Sequence, residues 1–159
     1  MDVHFIDTSV FLNIINVPDR NQNREEVLEE LSIISENGDT LLLPFATIIE
    51  TGNHIAQNGD GNQRRKSAER FCEIIRKTIR NEAPWKYYGQ QMTEADLQSI
   101  CENFQDSAMR EVGFGDLSII QAYEKYKNDT PAINRIRIWS IDKHLMIFDE
   151  KLHNINMRN

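Results

Sequence analysis

Apolar residues recur along this chain in two rhythms that take turns. Val3-His4-Phe5-Ile6 is a short, mostly apolar run, and Val10, Phe11, Ile14 and Ile15 follow at helical spacing, so a strand ending near Ile6 is expected to pass into a helix from Ser9 to about Asn16. From Arg24 to Asn37, Val27, Leu28, Leu31 and Ile34 mark one face of a second helix with acids outside, and Gly38 supplies its stop. Thr40 to Leu43 is a continuous apolar run, the pattern of a buried parallel strand, and Pro44 opens a third helix that carries Glu50. Asn58-Gly59-Asp60-Gly61-Asn62 is the clearest break. After it, Ala68, Phe71, Cys72, Ile75 and Ile79 trace one face of a helix whose other faces are basic. Glu82 to Gly89 reads as an aromatic loop, and Thr93 with Asp96 resembles a capping box ahead of Leu97, Ile100, Cys101 and Phe104. Gly113-Phe114-Gly115 leads into Asp116 and a helix ending near Asn128. Arg135 to Ile141 alternates as a strand, with Asp142 at its exit and a short helix through Phe148.

Strands alternating with helices predict an α/β fold: a Rossmann-like, mostly parallel central sheet flanked by helices, with ligands beyond the carboxyl ends of the strands. A chain of 159 residues with 40% hydrophobic content is long enough for one cored domain, expected over 1–159, and too short for two of ordinary size. No apolar run approaches the roughly 20 residues needed to span a bilayer, and the chain opens on a strand pattern without a basic leader, so a cytoplasmic protein with no membrane partner is expected. Cys72 and Cys101 are expected to be small buried hydrophobes in a reducing compartment, and their spacing is not that of a metal site.

The net charge of −7 argues against nucleic-acid binding through a globally basic surface. The charge is uneven, however. Asp19 to Asp39 holds seven acids and two arginines, whereas Gln63 to Arg80 holds seven bases and two glutamates. Arg64, Arg65, Lys66, Arg70 and Lys77 are therefore candidates for gripping phosphates, with a solvated helix face as the plainer reading. Trp85-Lys86-Tyr87-Tyr88 offers stacking surfaces beside a base, with core packing as its plainer reading.

Four acids stand where apolar runs give way to helical patterns: Asp7, Glu50, Asp116 and Asp142. Each alone reads as a helix cap or a solvated acid. Together they arrive in an order that a parallel sheet can converge. Oxygen-only donors without a cysteine or histidine set suit hard divalent cations such as Mg²⁺ or Mn²⁺. An aspartyl-phosphatase chemistry with Asp7 as nucleophile needs a second aspartate two residues on, where this chain has Ser9.

The chain resembles the PIN-domain nucleases, including the ribonuclease toxins of toxin-antitoxin pairs. The resemblance rests on Ile6-Asp7-Thr8-Ser9 with Phe11, Leu12 and Asn13 behind it, Ile48-Ile49-Glu50, Gly115-Asp116-Leu117-Ser118-Ile119, and Ser140-Ile141-Asp142-Lys143-His144-Leu145. It implies a PIN-like fold with Asp7, Glu50, Asp116 and Asp142 as the catalytic, metal-binding quartet, Ser9 and Ser140 as supporting hydroxyls, and Mg²⁺ or Mn²⁺ as the cofactor. It further implies an endoribonuclease that leaves 5′-phosphate and 3′-hydroxyl ends on RNA, an antitoxin partner and a homodimer, to which the apolar helices at Val10 to Ile15 and Ile48 to Ile55 contribute. A noncatalytic scaffold that binds RNA or protein is the alternative. A longer middle, at about 57–92, separates this chain from the compact toxins.

Overall fold

The computed structural model describes residues 1–152, and 153–159 lie outside the described residues. β1 (Asp2–Ile6) is followed by α1 (Thr8–Ile15) and α2 (Arg24–Glu36), then by β2 (Thr40–Pro44), α3 (Phe45–Ala56) and α4 (Gly61–Ile79). β3 (Lys86–Tyr88), α5 (Glu94–Met109) and α6 (Phe114–Asp129) come next. The described chain closes with β4 (Arg135–Trp139), α7 (Lys143–Met146) and β5 (Asp149–Lys151). The five strands form one sheet in the order β3-β2-β1-β4-β5, parallel except for the β4–β5 pair. This is the mixed α/β architecture that the alternating pattern predicts.

Side chains alternate across the sheet, so each strand feeds two cores. Val3 and Phe5 of β1, Leu42 of β2, and Ile136 and Ile138 of β4 meet Ile119, Ala122 and Tyr123 of α6 on one face. Ile6, Leu41, Leu43 and Trp139 point to the other, where Phe11 and Ile15 of α1 and Val27 and Ile34 of α2 cover them. Burial on both faces explains why β1 and β2 read as continuous apolar runs.

Two strands escape the sequence reading. The aromatic loop contains β3, and its rings are largely core: Trp85 is buried, donates to Thr78 Oγ1 at 2.9 Å and meets the Phe11 ring edge-on, while Tyr88 packs edge-on against Phe5 and Tyr126. β5 runs antiparallel beside β4, held by Arg135 donating to both Asp149 carboxylate oxygens.

The helix patterns also need correction. On α4 the expected Ala68, Phe71 and Ile75 pack against the core, joined by Ser67, Ile74 and Thr78, whereas Cys72 and Ile79 lie exposed. Cys101 is exposed on α5 as well, so neither cysteine is the buried hydrophobe expected. The capping box of α5 forms, with Thr93 and Asp96 exchanging backbone bonds at 3.1 and 2.9 Å. α1 is buried almost throughout and offers no face to a second copy, contrary to the expectation for Val10 to Ile15.

A chain of polar contacts crosses the middle of β1 and β4. His4, 2% exposed, reaches Asp39 through Nε2 at 3.2 Å and accepts from Arg137 Nε through Nδ1 at 2.7 Å. Arg137 and the Trp139 indole then donate to the two carboxylate oxygens of Glu30 at 2.6 and 2.9 Å. Burial, followed by the neighbouring Arg137 charge, holds the His4 imidazole below its usual pKa despite the opposing pull of Asp39.

Candidate active site

In the strand order the connection reverses between β1 and β4, so a crevice is expected beyond their carboxyl ends. Asp7 is the first residue past β1. It caps α1, accepting from Ser9 N at 3.3 Å, and its Oδ2 also accepts from the hydroxyls of Ser9 and Ser140, each at 2.7 Å. Ser140 is the first residue past β4, and its Oγ in turn accepts from Asp142 N at 2.9 Å. Ser9 Oγ accepts from Ile141 N at 3.0 Å, so two serines stitch the exit of β4 to the start of α1. Asp142 caps α7 through the His144 amide.

Glu50 comes from α3, whose inward stripe is Thr47, Thr51 and Ile55. The Thr47 hydroxyl donates at 2.7 Å to the carbonyl of Ile6, anchoring α3 directly to the residue before Asp7. Glu50 Oε2 accepts from Thr8 Oγ1 at 2.9 Å. Asp116 lies in the first turn of α6, which begins at Phe114, slightly earlier than the sequence pattern implies. Gly115 leaves room for the Glu50 carboxylate against the start of α6, because a Cβ there would overlap it.

The four acids line one cavity of about 430 Å³ together with Arg20, Asn53 and His54. Burial is the first cause that raises the Asp116 carboxyl to a pKa of about 6, and repulsion from Asp7, Glu50 and Asp142 adds to it against a backbone hydrogen bond at Gly113. Burial also raises Glu50, with Asp7 adding repulsion and the Thr8 hydroxyl opposing both. His54 is lowered by burial and then by the charge of Arg20, and its Nδ1 is buried without a partner.

Among the described residues no group of three or more His, Cys, Asp or Glu side chains is drawn together tightly enough to hold an ion as placed. The acids share a cavity without sharing a point. The donor set itself fits a hard divalent cation, being carboxylates with serine and threonine hydroxyls beside them. Asp7, Glu50, Asp116 and Asp142 are the residues that would hold it.

Arg20 and Thr8 escape the sequence reading. Thr8 carried a usable signal, as the hydroxyl directly after a strand-exit aspartate, whereas Arg20 sits in an irregular stretch that offers none. The basic helix is not part of this cavity. Arg64 donates to the Asn58 carbonyl at 2.6 Å, and Arg65 pairs with Glu69; both are exposed, as are Lys66 and Lys77. Arg70 is bound into the fold instead. Its guanidinium donates to the carbonyls of Ile15 and Asn16 at 3.0 and 2.8 Å, closing the carboxyl end of α1.

No family model matches the chain, and no curated protein matches it. Among solved structures it is similar to the crystal structure of VapBC2 from Rickettsia felis bound to a DNA fragment from their promoter, with 12% sequence identity, covering 87% of this chain and 99% of that chain at a TM-score of 0.47. No helix of the described residues is long and apolar enough to cross a membrane.

Proposed function

We propose that this protein is a metal-dependent endoribonuclease that hydrolyses phosphodiester bonds of RNA with Mg²⁺ or Mn²⁺. The observation that carries the reading is the convergence of Asp7, Glu50, Asp116 and Asp142 from four separate segments on one cavity at the reversal point of the sheet. When bound there, a divalent cation supplies an activated water and neutralises charge on the phosphate and leaving oxygen. The chain supplies geometry. Ser9 and Ser140 fix the Asp7 carboxylate, Thr8 fixes Glu50, and Asp142 is held through its own backbone and the α7 cap. Arg20, on the rim, is placed to meet a phosphate flanking the cut.

Against a noncatalytic scaffold for RNA or protein stands the gathering of four acids in one cavity, where burial first and repulsion among them second raise the Asp116 carboxyl. The preference for RNA, the role of toxin, an antitoxin that covers the pocket, and a homodimer all rest on the sequence resemblance. For the homodimer, the exposed apolar residues of α3 are Phe45 and Ile49, and α1 is excluded by its burial.

The test is cleavage of labelled single-stranded and structured RNA, with a DNA control, by the native chain, Asp7→Asn and Asp116→Asn in Mg²⁺, Mn²⁺ or EDTA. Metal-dependent cutting of RNA with 5′-phosphate ends, lost in both variants, is the expected result. Cutting that survives in EDTA, or no cutting and no metal binding by the native chain, overturns it.

A further inference from the structure

A second cavity, of about 390 Å³, shares Glu50 and Asn53 with the acidic one. Its wall comes from α3, the start of α6, Leu97 of α5, and Gln90 and Met92 of the segment that follows β3. Phe45, Ile49, Leu97 and Phe114 line it while remaining 38–52% exposed, an unusual concentration of large apolar side chains at the edge of a charged site. Gln90 stands among them with its amide nitrogen withdrawn from solvent and no hydrogen-bond partner. An unmade donor of that kind is destabilising unless something completes it.

We propose that this cavity is a nucleobase subsite of the acidic cleft, holding the base of a nucleotide next to the phosphate that is cut. The proposal rests on the nuclease reading of the neighbouring acids. A base is flat and apolar on its faces, which suits Phe45, Ile49 and Phe114, and polar on its edge, which suits the Gln90 and Asn53 amides. The volume falls within the roughly 300–1,000 Å³ of small-ligand pockets. A peptide or a second copy of this chain would also cover the apolar rim. Only a base is joined covalently, through one sugar, to a phosphate, and the shared Glu50 wall sets the two cavities side by side.

The experiment titrates the four free nucleosides into isotope-labelled protein in EDTA and reads amide shifts by NMR, so that neither a phosphate nor a metal is needed. Saturable shifts at Asn53, Gln90, Leu97 and Phe114 are expected, retained in Asp116→Asn and weakened about tenfold or more in Leu97→Glu and in Phe114→Ala. Leu97 and Phe114 are both exposed, and unchanged melting of either variant verifies its fold. Absence of shifts, shifts confined to Asp7 and Asp142, or a dimer that Leu97→Glu converts to monomer overturns the subsite. The RNA cleavage assay is scored separately: a chain that cuts RNA without binding nucleosides loses only the subsite, and one that binds nucleosides without cutting loses the nuclease reading and, with it, the subsite's place beside a cut phosphate, keeping only a base-binding cavity.

Discussion

β1 and β4 carry two polar clusters, one halfway along them and one at their carboxyl ends. In the first, every group finds a complementary partner: the imidazole of His4 links Asp39 to Arg137, and Arg137 pairs with Glu30. In the second, four carboxyls of one sign share a cavity, and Asp116 is raised to about 6 by burial and by the other three. Complementarity completes itself within the fold, whereas repetition of one sign leaves an electrostatic demand that a cation can meet. Both clusters are polar and neither follows from hydrophobic packing, so the arrangement of sign separates the cluster that completes itself from the one proposed to take a cation.

The largest effect should come from neutralising one repeated charge. Asp116→Asn is expected to lower RNA cleavage at least about a hundredfold and to shrink the rise in melting temperature on adding Mg²⁺, while the chelated variant melts no lower than the native chain. Conversely, Arg137→Met leaves Glu30 with only the Trp139 indole and His4 with only Asp39. It should lower the unfolding free energy in urea by about 2 kcal/mol, discounted because the Glu30 side chain is 43% exposed, with activity per folded molecule retained. If Arg137→Met abolished cleavage at full stability, the division between the clusters would be wrong.

Gly115→Ala sharpens the contrast further. The added methyl displaces the Glu50 carboxylate, so cleavage should fall about tenfold to a hundredfold. The melting temperature should hold or rise, because alanine favours the helix. Ser140→Ala removes a donor from Asp7 and an acceptor from the Asp142 amide, and a loss of about 1–2 kcal/mol is expected by chemical denaturation.

The smallest effect is one of pH, and its two parts have opposite sign. The raised Asp116 carboxyl contributes stability that is present below about pH 4 and lost as pH rises through about 6. His4, lowered in the fold, contributes stability that is present above its unfolded value near 6.5 and lost as pH falls through its folded one. In EDTA, Asp116→Asn should remove the loss of melting temperature between pH 4 and 6 that is due to this carboxyl, and His4→Gln should remove the loss on acidification that is due to the imidazole. A profile left unchanged by either variant counts against the assigned group.

The sequence made β1, β2 and β4 legible because strands buried on both faces must be apolar or alternate. β5 is Asp-Glu-Lys, with no apolar signal at all, and its pairing depends on Arg135 and the β4 backbone. β3 is three residues long and lies at the sheet edge, too short to show a period. On α4 the hydrophobic stripe found Ala68, Phe71 and Ile75 but not Ser67 and Thr78, which are buried where Thr78 meets the Trp85 indole and Ser67 the Arg70 guanidinium, and such polar contacts are invisible to a hydrophobic stripe. Asp7, Asp116 and Asp142 stood out through their positions at element junctions, whereas Glu50 lies in the middle of α3 beside Ile48 and Ile49. Their convergence required the strand order, and the role of Arg70 required the position of the carboxyl end of α1.

The cavity draws Asp7 and Glu50 from before the Asn58-Gly59 break and Asp116 and Asp142 from beyond it, and β4 must slot in beside β1 before Ser140 can reach Asp7. A chain emerging from the ribosome would thus have no assembled acidic cavity until nearly all of the described residues had emerged. The same division makes the break a natural seam for two fragments, each holding half of the acids and neither able to form the cavity until they reassemble.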